Sequence, residues 1–186
     1  MAPVETAGTV AVIGAGRVGR ELARRAVLAG FRVVLEDLFP MSLAEAQQEI
    51  RQTLEAAVAA GRIDRANANE IYARITCVTT IEEAVRRAHI VMETGPDDME
   101  SKLEMFCLLD RFVLPGTIIV SNCRHLELSD TAANAASVVG MYFEDERAEI
   151  HCSPYTGAKA VEVAKMLASR MAASYTITGE PQTVKV

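Results

Sequence analysis

The chain has 186 residues, half of them apolar and 24% charged, which suits one soluble globular domain able to bury a core. Its net charge of −6 argues against nonspecific binding to nucleic acid or to anionic membrane surfaces. The four cysteines (Cys77, Cys107, Cys123 and Cys152) form no C-x-x-C pair and read as unpaired thiols in a reducing compartment. Residues 1–8 lack the basic and apolar regions of a signal peptide, and no apolar run approaches the ~20 residues that span a bilayer, so a cytoplasmic location is expected.

Thr9 to Ile13 is a short apolar run of β-forming residues. Gly14, Gly16 and Gly19 follow in G-x-G-x-x-G spacing. Arg17 to Ala29 then carries apolar residues at Val18, Leu22, Ala26 and Ala29, a helical rhythm that Gly30 ends. Phe31 to Leu35 is a second apolar strand, and Asp37 stands eighteen residues beyond Gly19. This order of strand, glycine turn, helix, strand and acid has a physical reading. Gly14 permits the tight turn, Gly16 lets a pyrophosphate approach the backbone, and Gly19 lets the helix pack close to the sheet. The N–H groups of Arg17 and Val18 at the helix start, with the helix dipole, hold phosphates. Asp37 accepts hydrogen bonds from ribose hydroxyls and repels a 2′-phosphate, which favours NAD over NADP. Glu36 adds negative charge. Arg17 faces either the pyrophosphate or solvent. A flavin is less favoured, because nothing later in the chain resembles a flavin domain.

Downstream, Met41 to Ala60 reads as a long helix between Pro40 and Gly61, and Asp64 caps a shorter helix to Arg74. Ile75 to Val78 is a strand, Ile81 to Arg87 a short helix, and Ala88 to Met92 the next strand. A loop from Glu93 to Met99 leads into a helix ending near Phe112, then a strand from Thr117 to Ser121. Ser129 or Asp130 caps a helix over Thr131 to Ala136, and Ser137 to Phe143 is a further strand. Glu144 to Tyr155 is a polar, irregular stretch. A helix from Thr156 to Ala172 and a strand from Ser174 to Thr178 close the chain. Strands alternating with helices imply an α/β fold with a doubly wound, mainly parallel sheet. Ligands bind such sheets beyond the C-terminal strand ends, so the loops after Ile13, Leu35, Met92 and Ser121 matter most.

Together, the glycine turn, AGFRVVLED, the segment AGRIDRANANEIYARITCVTTIEEAVRRAHIVMETGPDDMESKLEMF, TIIVSN and VVGMYF resemble the NAD-binding domain of the 3-hydroxyacyl-CoA dehydrogenase family. The resemblance runs from Thr9 to Phe143 and more loosely beyond. It implies a single Rossmann-type domain with NAD as cofactor. It places Asp97 and Lys102 with the cofactor, where the residues alone allow a solvated acid and a surface lysine. Glu93 and Pro96 match the loop on the nicotinamide side, and Asn122 and Arg124 also fall at the cofactor.

The catalytic residues of the family do not carry over. Its G-x-H-F-F-N-P motif falls on Gly140 to Glu146, so Tyr142 stands at the general-base histidine, Asp145 at the asparagine and Glu146 at the proline. A phenol cannot replace imidazole as a base near neutral pH without a large shift. Pro154 stands at the orienting glutamate, and Asn122-Cys123-Arg124-His125 at N-T-S-S. On the helix whose serine and lysine bind CoA in the family, Thr53 replaces the serine and Ala60 the lysine. The chain ends where the family begins its C-terminal helical domain, so that domain is expected to be absent.

Other residues admit two readings each. Tyr142 either fills the old histidine site or, with Arg124 beside it, donates a proton. His125 is a replacement base or a loop histidine. Cys123 is a nucleophile or a buried strand-end thiol. His151 and Cys152, near the acids Glu144, Asp145, Glu146 and Glu149, are a loop pair or part of a metal site, the solvated loop being the default. His89 is structural. Three functions follow: an NAD(H)-binding relative without dehydrogenase activity, which is favoured; an oxidoreductase with a changed site acting on a hydroxyacyl or other small hydroxy or keto substrate; and an assembly protein with a vestigial site. An acyl or CoA-type molecule is a possible ligand, and a homodimer or another protein is expected to cover the open cleft.

Overall fold

The computed structural model describes residues 8–123 and 135–179. The alternating elements become β1 (Thr9–Ile13), α1 (Arg17–Leu28), β2 (Arg32–Glu36), α2 (Pro40–Ala59), α3 (Arg65–Tyr72), β3 (Ile75–Val78), α4 (Ile81–Val85), β4 (Ile90–Glu93), α5 (Met99–Phe112), β5 (Ile118–Ser121), β6 (Val138–Glu144), β7 (Arg147–His151), α6 (Ala158–Met171) and β8 (Ser174–Thr178). Side chains set several helix starts. Asp64 accepts from the Asn67 N–H at 2.7 Å and Asp98 from the Ser101 N–H at 3.0 Å, satisfying amides that the helices leave orphaned. Pro40 opens α2, where its missing N–H costs nothing.

The strands form one eight-stranded sheet in the order β3-β2-β1-β4-β5-β6-β7-β8. The first six in that order run parallel. Side-chain alternation divides the core between the two faces. Val10, Val12, Ile90, Met92, Ile118 and Val120 join one buried cluster with α1, α2 and α6. Ala11, Ile13, Val91 and Ile119 join the other with α4 and α5. The chain winds outward from β1 to β3 and then crosses back to β4, so the switch of direction lies between the C-terminal ends of β1 and β4.

One expectation is corrected. The stretch from Glu144 to Tyr155 is not irregular throughout: β7 lies within it and pairs antiparallel with β6, from Glu144↔Arg147 to Gly140↔His151. Asp145, at φ 49°, makes the tight reversal. Only Ala148 and Ile150 face the core, while Arg147, Glu149 and His151 stand on the other side. Two small apolar positions among charges give too short an alternation to read as a strand. The helix expected over Thr131 to Ala136 falls almost wholly outside the described residues, although Ala135–Ser137 is a single 3-10 turn.

Candidate cofactor and substrate cleft

The glycine turn sits at the β1 end of the switch point, held from three sides. Its Gly14 N–H donates to the Glu36 carbonyl at 2.9 Å. The Ala15 N–H donates to Asp37 Oδ2 at 2.7 Å, while Asp37 Oδ1 accepts from the Phe39 N–H at 2.9 Å. From β4, the Thr94 hydroxyl donates to the Ile13 carbonyl at 2.7 Å. Thr94 went unnoticed in the sequence; its one signal is a hydroxyl just after a strand that ends at the switch point.

The glycines have separate requirements. Gly14 takes φ 96°, a conformation that disfavours any side chain. A Cβ on Gly19 would stand 1.8 Å from the Gly14 carbonyl oxygen, so helix and turn approach as closely as backbone allows. A Cβ on Gly16 would meet nothing within 4 Å. That open space lies at the start of α1, where the N-cap offers no side-chain acceptor and the first turn carries no acid. Such a helix start suits an anion, and with Asp37 fixed beside it the residues fit a dinucleotide.

Glu36 is only 7% exposed at the end of β2. Burial, and then the charge of Asp37, push its carboxyl up to about 7, only partly offset by a hydrogen bond from the Gly14 backbone.

On the far side of the switch point, Glu93 and Lys102 form a fully buried ion pair at 2.6 Å, each side chain 1% exposed. Glu93 Oε2 also accepts from the Ser121 hydroxyl at 2.8 Å, and Oε1 from the Gly95 N–H at 2.5 Å. Lys102 Nζ further reaches the carbonyls of Gly95 and Asn122, at 3.4 and 3.3 Å. Lys102 therefore braces the loop after β4 against the end of β5 instead of lying on the surface. Asp97 and Pro96 are exposed in that loop, and Asn122 is half-buried.

A cleft of about 710 Å³ opens beside the turn, between α1, α2 and the ends of β5 and β6. It brings together Arg17, Val18, Thr53, Asn122 and Tyr142 with Arg20 and Arg24. The last two belong to an arginine row on α1 that the sequence reading passed over, although their spacing from Arg17 is helical. Arg20 bridges to Glu45 and Glu49 of α2 at 2.8 and 3.0 Å. The Thr53 hydroxyl is turned back onto the Glu49 carbonyl at 3.0 Å. Ala60 caps the far end of α2, and Pro154 is exposed.

The remaining candidates lie apart or outside. Arg124 and His125 fall outside the described residues. Cys123 is buried, and burial pushes its thiol up, which disfavours a thiolate nucleophile. His151 Nδ1 lies 2.7 Å from the Thr178 hydroxyl, away from the cleft, with its Nε2 3.7 Å from Glu149. Glu144, Asp145 and Glu146 form the β6–β7 reversal. His89 Nδ1 accepts from the Thr9 N–H at 3.1 Å and so ties down the start of β1.

This turn and acid, at the switch point of a doubly wound sheet, define a dinucleotide-binding Rossmann domain. Residues 9–174 match the model of the 3-hydroxyacyl-CoA dehydrogenase NAD binding domain, so the chain belongs to that family and NAD is its cofactor. A probable 3-hydroxybutyryl-CoA dehydrogenase of Bacillus subtilis is 32% identical over 163 residues, covering 86% of this chain and 54% of the relative. The lambda-crystallin homolog of Bos taurus is 32% identical over 132 residues, covering 70% of this chain and 41% of that protein. Among solved structures, 3-hydroxybutyryl-CoA dehydrogenase of Escherichia coli K12 superposes with a TM-score of 0.84 at 25% identity, covering 91% of this chain and 38% of that one. The chain thus spans about half the length, or less, of these relatives.

Proposed function

We propose that the chain holds NAD(H) at the β1–α1 turn and does not carry out the dehydrogenation for which its family is named. The observation that carries this reading is the contrast between the glycine turn and the positions that the family uses for catalysis. At the turn, Asp37 accepts from the Ala15 amide beside an open helix start. At the catalytic positions, Tyr142, which lines the cleft, stands where the resemblance places the general-base histidine, and Pro154 stands in the sequence where it places the glutamate that orients it. In this reading Asp37 takes the ribose hydroxyls and the first turn of α1 the pyrophosphate. Asp97, Asn122 and Arg124 complete the nicotinamide side, with the buried Lys102 bracing the loop behind them. Bound nicotinamide can give or accept a hydride, but no imidazole at position 142 moves the matching proton. The open side of the cleft is the place for a partner, either a second copy or another protein.

The intact cleft favours one other reading, an oxidoreductase with a changed site. Its arginine row and Thr53 suit an anionic hydroxyacyl, CoA-type or other hydroxy or keto substrate.

Calorimetric titration with NADH and NADPH, paired with an assay of acetoacetyl-CoA reduction, separates these readings. Selective NADH binding without turnover is expected. Turnover would replace the first reading with the second, and binding of neither nucleotide would favour an assembly role with a vestigial site.

A further inference from the structure

We propose that β8 is a dimerisation edge, on which a second copy of this chain adds its own β8 antiparallel about a two-fold axis through Thr176. Among the described residues, strand β8 ends the sheet order and pairs on one side only, parallel to β7. All five of its residues are exposed, and the run Ser-Tyr-Thr-Ile-Thr holds no charge and no proline. Natural edge strands are ordinarily blunted by lysine, proline, a bulge or a covering element. This one has the β-branched and aromatic composition of a strand with neighbours on both sides.

The backbone register makes the edge self-complementary. The Ser174 N–H points to the Glu146 carbonyl, and the Thr178 carbonyl accepts from the Cys152 N–H. The amides of Ser174, Thr176 and Thr178 therefore serve β7, and those of Tyr175 and Ile177 point away from the sheet. An antiparallel two-fold centred on Thr176 sets Tyr175 opposite Ile177 of the second copy, twice. Both pairs are of the hydrogen-bonded kind, and Thr176 meets its own equivalent in the wider gap between them. The side chains agree with this backbone arrangement. Tyr175 and Ile177 are register partners of Ala148 and Ile150, so they stand on the face that α6 covers. They are 38% and 40% exposed there, and the two-fold joins four of them into one aromatic and β-branched strip. The arrangement is isologous and closes at two copies. It lies at the opposite side of β7 from the cofactor cleft and does not rest on the cofactor reading.

The test is the mass of the full chain by light scattering across dilution, for the wild type, Ile177→Lys and Ile177→Pro. The proline removes only an outward-facing N–H, so the β7–β8 ladder is kept. A wild-type dimer is expected, with its dissociation constant raised at least about tenfold in both variants at unchanged circular dichroism. Thr176→Cys, made in a Cys107→Ser background, is expected to form an intermolecular disulfide under mild oxidation, because its equivalent lies directly opposite. A monomeric wild type would leave the edge to another occupant and overturn the proposal. A dimer unaffected by both Ile177 variants, or the absence of the 176–176 crosslink, would place the two-fold elsewhere and overturn it too.

Discussion

Asp37 serves the turn and the ligand with one carboxylate: it holds the Ala15 and Phe39 amides, and in the proposed complex it takes the ribose. Hydrogen bonds to a charged group contribute about 1.5–3 kcal/mol each, so Asp37→Ala is expected to weaken NADH binding by roughly tenfold or more. Calorimetry checks this, and an unchanged affinity would remove Asp37 from the site. Gly19 has no comparable latitude. In Gly19→Ala the new methyl meets the Gly14 carbonyl, and neither backbone can yield cheaply. A loss of about 1–3 kcal/mol in urea unfolding is expected, together with loss of NADH binding.

Glu36 makes stability depend on pH in a definite direction. Its folded value of about 7 lies above the ordinary 4.5, so between those values the folded chain keeps a proton that the unfolded chain has released. The contribution is complete below pH 4.5 and is lost as pH rises through 7. It is at most about 3 kcal/mol. Glu36→Gln is expected to flatten that part of the stability profile between pH 5 and 8, read from melting temperatures. A slope identical to the wild type would assign the dependence to another group.

At the scale of elements, the Glu93–Lys102 pair joins β4, α5 and the end of β5. Removing one member of a buried pair leaves the other charge uncompensated, a loss of about 3–5 kcal/mol, whereas replacing both with apolar groups is far milder. Lys102→Met is therefore expected to unfold at much lower urea, and Glu93→Leu with Lys102→Met to recover most of the loss. A single variant as stable as the wild type would contradict this bracing role. The strand–turn–helix–strand unit was legible in the residues because every part of it is local: β propensity, three glycines at fixed spacing, a helical stripe and an acid. Strand β7 was not legible. Its two core-facing residues, Ala148 and Ile150, acquire their meaning only from α6 and from the pairing with β6. The brace was half legible, since the family pattern singled out both residues but nothing in the spacing says that they meet.

For the molecule as a whole, stability is graded across the sheet. Strands β4 and β5 lie at its centre with β1 beside β4, each paired on both sides, while β3 and β8 end it. Hydrogen exchange is expected to be slowest in β1 and β4 and faster in β3. Equal rates in β1 and β3 would deny that gradient.

The sequence by itself determined the family, the parallel α/β architecture and the glycine turn at the end of β1. Each of these is written in short-range patterns whose geometry the backbone enforces within some thirty residues. Only the tertiary structure decided what lies beside the turn. It set Thr94 on the Ile13 carbonyl, buried Lys102 against Glu93, raised the Glu36 carboxyl, aligned three arginines along the cleft and left β8 as an uncharged edge. These features depend on distances between residues far apart in the chain and on the water excluded between them, and neither quantity is carried by a linear spacing.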